Sequence, residues 1–137
     1  MKETKKVKPD YGKERLRLLS MIATRLEKSQ TFLEVEDALN ALWDLADHGD
    51  LEALALYGIA YLMEGREWHD AEEGRNALLN AAEEGLPMAQ YYLGVLLLDG
   101  HEGVEQDPIT GKYWLEQSAN KGYRRAIEFI EKRWQNP

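Results

Sequence analysis

Residues 89–122, with the sequence AQYYLGVLLLDGHEGVEQDPITGKYWLEQSANKG, decide the fold that we predict for this chain. Two apolar segments of this stretch are separated by the polar loop DGHEGVEQD, and the second segment begins with Asp107 and Pro108. An aspartate caps the start of a helix well, and a proline suits its first turn. A glycine such as Gly122 suits the left-handed position just beyond the end of a helix. The stretch therefore predicts two helices joined by a loop.

The end of this stretch recurs upstream at a fixed period. The segments LADHG, AAEEG and SANKG end at Gly49, Gly85 and Gly122, which gives spacings of 36 and 37 residues. An alanine follows each glycine by four residues, at Ala53, Ala89 and Ala126. A repeat length between about 20 and 50 residues is typical of a solenoid, in which each unit packs mainly on its neighbours.

Helix start and stop signals divide most of the chain into helices. Thr31 and Glu34 have the spacing of a capping box, and Asp50 is a candidate N-cap residue. Apolar residues at helical spacing fill the segments between these signals. We predict no strand and seven helices, at 13–29, 32–48, 51–64, 71–84, 87–99, 109–121 and 123–134.

The clearest repeat unit, residues 89–122, carries a pattern of small, large and polar residues at Ala89, Leu93, Gly94, Gly100, Gly103, Val104, Asp107, Trp114, Ala119 and Gly122. With these residues it resembles a Sel1-like repeat, a relative of the tetratricopeptide repeat. The loop has one residue more than the usual pattern, and Leu97 and Gly111 replace a tyrosine and an alanine. Residues 53–85 resemble a degenerate copy that lacks the loop and the tryptophan.

The resemblance implies an all-α fold, a short right-handed α-solenoid of about seven helices in Sel1-like or tetratricopeptide-like pairs. Residues 1–12 are interpreted as a basic tail, for which disorder is one interpretation, and residues 13–137 as a single repeat domain. We expect the helices at 13–29 and 123–134 to cap the two ends, the second through Phe129, Ile130 and Trp134. Because large aromatic residues usually bury their area, the tryptophans are expected in the core or the caps, with Trp68 as the candidate exposed anchor.

Composition limits the classes of function. With 137 residues and 44% hydrophobic content, the chain is long enough for one core. It contains no cysteine, which excludes disulfides and thiolate metal sites. No segment has the apolar length of a signal peptide or a membrane span, and this predicts a cytoplasmic protein.

The formal net charge of −8 is unevenly distributed. Residues 29–120 hold nineteen acidic and three basic residues, a net charge of −16, whereas residues 1–28 and 121–137 carry +5 and +3. Such a field repels nucleic acids and anionic membranes and favours cationic partners, so neither nucleic acid nor membrane is expected as a partner. The alternative interpretation is that the acidic surface only keeps the protein in solution.

Candidate catalytic or metal-binding residues are concentrated in the loop DGHEGVEQD, where His101 lies among four acidic residues. Their spacing fits neither a calcium loop nor a catalytic zinc site, and no phosphate-binding, metalloprotease or serine-hydrolase motif occurs. We therefore predict that the protein is not an enzyme and uses no catalytic residue, cofactor or metal. A small hydrolase-like enzyme with an unrecognised carboxylate site is the least favoured alternative.

The resemblance further implies that the first helix of each unit lines a concave groove. Residues there that packing does not need are candidates for binding a protein partner: Leu54, Ile59, Leu62, Gln90, Tyr91, Val95, Leu98, Ile127 and Glu128. An apolar groove of this kind favours a helix or an extended segment of a partner, although the protein's own terminal helix is an alternative occupant.

These patterns favour a protein-protein interaction module whose partner has a basic contact surface. A bacterial immunity protein that neutralises a toxin is one such role. An adaptor or regulatory scaffold in secretion or signalling is the alternative. The sequence leaves the oligomeric state open.

Two glycines of the clearest unit lead to opposite expectations. Gly94 is expected at a close crossing of two helices, where Gly94→Leu would overfill the space. Gly103 lies in the loop, and a loop glycine can often be replaced, so Gly103→Ala is expected to do less.

Overall fold

The structure is a computed structural model that describes residues 32–64, 68–101 and 103–135. Side chains are described for residues 39–62, 71–101 and 103–135. The regular elements of this part of the chain are six α-helices and a closing π-helical segment, α1 (Phe32–Asp47), α2 (Leu51–Glu64), α3 (Trp68–Glu83), α4 (Pro87–Asp99), α5 (Pro108–Asn120), α6 (Arg124–Ile130) and Glu131–Gln135.

The observed helices form a short α-solenoid in which each helix packs on the next. Four of them match the predicted bounds to within one residue at each end. The helix predicted at 71–84 begins three residues earlier, at Trp68, and the one predicted at 123–134 divides into α6 and the π-helical segment. The predicted helix at 13–29 and the capping residue Thr31 lie outside the described residues.

The helix ends follow the predicted signals. Gly49, Gly85 and Gly122 have φ angles of 96°, 98° and 86°, in the left-handed region that favours glycine. The Asp50 carboxylate accepts a hydrogen bond of 3.1 Å from the backbone N–H of Ala53, which confirms it as an N-cap. The ends of the helices are therefore fixed by the local sequence.

Two pairs of helices cross with their backbones in contact. A Cβ atom placed on Gly58 of α2 would lie 2.6 Å from the carbonyl oxygen of Gly74 on α3. One placed on Gly94 of α4 would lie 2.8 Å from that of Gly111 on α5. A Cβ atom placed on Gly74 or Gly111 would come similarly close to the carbonyl oxygen of the opposite glycine, so each crossing needs a glycine from both helices. This confirms the crossing expected at Gly94 and explains why glycine replaces alanine at position 111.

The core consists of two contiguous clusters of buried side chains. The first joins α1, α2 and α3 through Leu39, Leu42, Leu45, Ala53, Tyr57, Ala60 and Ala77. The second joins α2, α3, α4 and the following loop through Ala55, Leu62, Ala71, Leu78, Ala81, Ala82, Ala89, Leu93 and Val104. Alanines form the majority of the second cluster, because closely spaced backbones leave little room for large side chains.

The tryptophans are less buried than expected. Trp43 keeps 49% of its surface exposed, so the expectation of a buried position is wrong for this residue. Trp134, expected in the C-terminal cap, exposes 38% of its surface, and the Lys112 ammonium of α5 lies 5.1 Å from its ring centroid. Trp114 is half-buried against the second cluster, and the side chain of Trp68 lies outside the described residues. Phe129 and Ile130 are half-buried at the C-terminal end, where the Phe129 ring lies 6.3 Å from that of Trp134.

Whether Gly94→Ala raises or lowers the free energy of unfolding tests the close crossing of α4 and α5. Alanine normally stabilises a helix interior by about 0.5 to 1 kcal/mol relative to glycine. Here the new Cβ would meet Cγ of Leu115 at 2.7 Å, so we expect Gly94→Ala to destabilise and Gly94→Leu to cost at least about 1 to 3 kcal/mol. Urea unfolding measures both. An unchanged or raised midpoint for Gly94→Ala would show that the backbones are not in contact.

Gly103 is not the replaceable loop glycine that the sequence suggested. Its φ angle is 88°, and a Cβ atom at this position would collide with Cβ of Ala71 on α3. Gly122 is a matched control, because it has nearly the same φ angle of 86° and no atom within 4 Å of the added carbon. We expect Gly103→Ala to lower the free energy of unfolding by about 1 kcal/mol or more beyond Gly122→Ala. Equal losses would mean that only backbone strain matters.

Candidate partner-binding surface

Six of the predicted binding residues keep part of their surface exposed, although Leu54 and Ile59 also pack against the core clusters. They lie on the first helices α2, α4 and α6. Five are half-buried and one is exposed, namely Leu54, Ile59, Tyr91, Val95, Ile127 and, exposed, Glu128. These six are called the first-helix row below.

The other three predicted binding residues are buried, so their assignment to an open groove is wrong. Leu62 and Gln90 expose 3% of their surface and Leu98 exposes 5%. Leu62 belongs to the second core cluster, where α2 meets α3. Gln90 is held by a hydrogen bond of 3.1 Å from its side-chain amide to the carbonyl oxygen of Ala82. Leu98 is covered where α4 packs on α5, close to Gly111.

Tyr91 lies at the centre of an aromatic cluster between α4 and α6. Its ring centroid is 5.0 Å from that of Tyr92, 5.6 Å from that of Tyr123 and 6.3 Å from that of Phe129. The Arg125 guanidinium lies 5.7 Å from the Tyr91 and Tyr92 ring centroids and donates a hydrogen bond to the Tyr92 hydroxyl. These contacts hold the Tyr91 ring in one position, which suits an anchor for a partner.

The charged residues are segregated between the helices. Acidic side chains of the second helices are exposed, as at Glu72, Glu73 and Glu83 on α3 and Asp44 and Asp47 on α1. Basic side chains concentrate instead at the C-terminal end, beside the aromatic cluster, at Arg124, Arg125, Lys132 and Arg133. The acidic surface therefore lies mainly beside α1 and α3 rather than around Tyr91.

A cleft between α1 and α3 was not found by sequence reasoning. It has a volume of about 300 Å³ and is lined by Trp43, Leu54, Tyr57, Glu73, Asn76, Ala77 and Asn80; it is called the Trp43 cleft below. The buried Tyr57 hydroxyl donates a 3.1 Å hydrogen bond to Glu73, and burial, followed by contact with Tyr61, raises the pKa of that hydroxyl. The sequence contained a signal for the cleft, since Trp43 is not part of the apolar stripe that Val35, Ala38, Leu39, Leu42 and Ala46 form on α1.

The polar loop after α4 is used for structure. His101 and Val104 exchange two backbone hydrogen bonds, and the Val104 side chain is buried in the second core cluster. Asp107 accepts hydrogen bonds from the backbone N–H and the hydroxyl of Thr110, at 3.2 and 2.8 Å. In the part of the chain that the structure describes, no three His, Cys, Asp or Glu side chains come together as ligands for a metal ion. None of the described helices has the length and apolar character needed to cross a bilayer.

Asp107→Ala is expected to lower the thermal midpoint at pH 7 by about 2 to 6 °C, because α5 loses its N-cap. Glu105→Ala is the control, since it removes the same charge from an exposed neighbour. The Thr110 hydroxyl, and then its N–H, lower the pKa of Asp107 from its ordinary value of 3.8. The stabilisation is therefore present above about pH 4 and is lost as the pH falls through the native pKa. A pH-independent difference between the two variants would contradict the capping role.

Comparisons with known proteins agree with this architecture. The family model described as Sel1 repeat matches residues 87–123, which span α4, the loop and α5. The structure is similar to the crystal structure of a Sel1 repeat protein from Oxalobacter formigenes, with a TM-score of 0.57 and 24% sequence identity. The match covers 92% of this chain and 43% of that one, so this chain spans less than half the length of that protein. The comparison with curated proteins gives no match. Residues 87–123 therefore match the Sel1 repeat model, within a fold similar to that of a Sel1 repeat protein.

Proposed function

We propose that this protein is a non-enzymatic module that binds a protein partner through the first-helix row, and that the acidic surface of α1 and α3 favours a partner with a basic contact surface. Sel1 repeats are protein-interaction modules, and this supports the general class. The binding surface and the partner's charge are our own inference from the geometry.

The single observation that carries the proposal is the position of Tyr91. Its ring is half-buried, its centroid lies 5.0 to 6.3 Å from those of three other aromatic rings, and the half-buried Val95 follows it on the same helix. A stiff aromatic side chain beside apolar neighbours is the arrangement most often found at the energetic centre of a protein interface. Ile59 and Ile127 continue the row on α2 and α6.

Several polar side chains are engaged in backbone contacts, and this bears on the proposed lack of catalysis. Gln90 donates to Ala82, Arg75 to Gly103 and Ser118 to Pro87, in each case to the backbone carbonyl oxygen. Groups engaged in this way stabilise helix junctions and are not arranged around a common point. A catalytic site needs titratable groups that converge in one pocket.

Two roles are compatible with a module of this kind in the cytoplasm, the location that we predict. An immunity protein would bind and inactivate one cationic toxin, whereas an adaptor would join components of a secretion or signalling pathway. The partner separates the two. We expect capture on the immobilised protein, followed by mass spectrometry, to identify it, and a toxicity assay with and without this protein then distinguishes neutralisation from scaffolding.

Tyr91→Ala is expected to weaken binding of the identified partner by about 2 kcal/mol, or roughly thirtyfold in Kd. Tyr113→Ala is the matched control, because it truncates the same residue type at an exposed position on the second helix α5. Glu84→Gln should change the free energy of binding by no more than about 1 kcal/mol. Isothermal titration calorimetry measures all three variants, after circular dichroism has shown that each is folded.

The association rate should fall as salt screens the acidic surface, while the dissociation rate changes little. Stopped-flow measurements at low and high ionic strength test this. Equal affinities of wild type and Tyr91→Ala would contradict binding at the first-helix row. A salt-independent association rate would contradict only the expected charge of the partner.

A further inference from the structure

We propose that the Trp43 cleft binds an arginine side chain from a basic segment of a protein partner. This inference rests on the proposed function and deepens it, since it assigns the basic contact to a particular site. The site is lined by α1, α2 and α3 and shares Leu54 with the first-helix row, whereas Tyr91 lies on α4.

Aromatic rings form one wall of the cleft. Trp43 exposes nearly half of its surface, and its ring centroid is 5.2 Å from that of the buried Tyr57, at an angle of 43°. Tyr57 is in turn held edge-on by Tyr61 at 4.7 Å. An indole face is the most favourable aromatic surface for a cation, and a planar guanidinium also stacks on it. The exposed face of Trp43 therefore suits an arginine.

The opposite wall supplies hydrogen-bond acceptors. Glu73 is exposed on α3 and accepts a hydrogen bond from Tyr57 through Oε2. It makes no ion pair with any residue of the described chain. A carboxylate that accepts one such bond retains acceptor capacity, and the side-chain amides of Asn76 and Asn80 in the same cleft add two further oxygens. A guanidinium with its five N–H donors can use both kinds of acceptor.

Charge complementarity points to an external cation. Helices α1, α2 and α3 contain eleven Asp or Glu residues and one Lys or Arg, which is Arg75. That arginine is engaged elsewhere, because its Nη1 donates a 2.8 Å hydrogen bond to the carbonyl oxygen of Gly103. Among the described residues, these three helices thus present a negative field, and their single arginine is engaged away from the cleft.

The size of the cleft selects a single side chain. A volume of about 300 Å³ lies at the lower limit of small-molecule pockets, and it is too small to hold a helix. The walls belong to packed helices, so an inserted side chain would meet a preformed site. We expect such a site to add specificity to the diffuse attraction of the acidic surface.

Titration of the ¹⁵N-labelled full chain with a hexa-arginine peptide tests the proposal. The indole N–H signal of Trp43, assigned from its disappearance in Trp43→Ala, should shift and saturate. Glu73→Gln and Trp43→Ala should each weaken peptide binding about tenfold. Glu116→Gln is the matched control, because it removes one exposed carboxylate from α5 and should change the affinity less than about twofold.

Equal losses in Glu73→Gln and Glu116→Gln, or an unshifted Trp43 signal, would overturn the proposal in favour of diffuse attraction. Equal binding of a hexaglutamate peptide would also overturn it.

The chain's own lysines are a competing occupant, tested by replacing Lys2, Lys5, Lys6 and Lys8 with glutamine. The proposal is overturned if these replacements shift the Trp43 signal without added peptide and the variant binds the peptide at least about tenfold more tightly than the wild type. The chain's own lysines would then occupy the cleft. A failed peptide titration alongside Tyr91-dependent partner binding rejects the cleft and leaves the proposed function intact.

Discussion

The close approach of helix backbones at the two glycine pairs is the constraint on which the rest of the structure depends. At Gly58 with Gly74, and at Gly94 with Gly111, an added Cβ atom would lie between 2.6 and 2.8 Å from a backbone oxygen. Such contact fixes the rotation of each helix about its axis as well as its distance from the partner. Because the glycines recur with the repeat, the two helix pairs are built alike, and Ile59 and Val95 occupy corresponding positions one repeat apart. The first-helix row is therefore a consequence of the crossings.

Side chains of one unit satisfy backbone carbonyl groups near the turn of the unit before it. The turn between α3 and α4 receives hydrogen bonds from Gln90 to Ala82, from Lys121 to Gly85 and, just beyond it, from Ser118 to Pro87, with lengths between 2.7 and 3.1 Å. The Ala82 carbonyl lies in the last turn of α3, where such groups have no partner within the helix, so the buried hydrogen bond from Gln90, added to that from the Gly85 N–H, lowers the cost of burying it. These hydrogen bonds link neighbouring units at a place where the small apolar residues bury little area. The polar residues of the repeat are in this way structural.

Helix positions followed from the sequence, whereas burial on those helices did not. Caps and stops such as Asp50, Asp107 and Gly85 act through neighbouring residues, and the sequence displays them directly. The first helix α4 is apolar on nearly every side, so its pattern could not show that Leu98 faces α5 while Val95 stays near the surface. The prediction for Gly103 was wrong because an added Cβ atom would collide with Ala71, which belongs to a helix distant in sequence. Contacts of this kind depend on tertiary packing, which a single sequence does not encode in its periodicity.

The two ends of the described chain differ in how many of their charged side chains form ion pairs. This difference determines which end keeps an electrostatic field that can attract a charged partner. At the C-terminal end, Arg133 pairs with Asp99 at 3.6 Å, Arg124 approaches Glu128 at 3.8 Å, and Arg125 lies over the tyrosine rings. On α3, Glu72, Glu73 and Glu83 are exposed and form no ion pair with other described residues. Exposed ion pairs contribute little to stability, but they do cancel the local field. The acidic side of the molecule therefore retains a field that reaches a partner, whereas aromatic contacts dominate at the basic end. Under the proposed function, a partner that engages both would combine basic residues opposite α1 and α3 with an apolar segment opposite Tyr91.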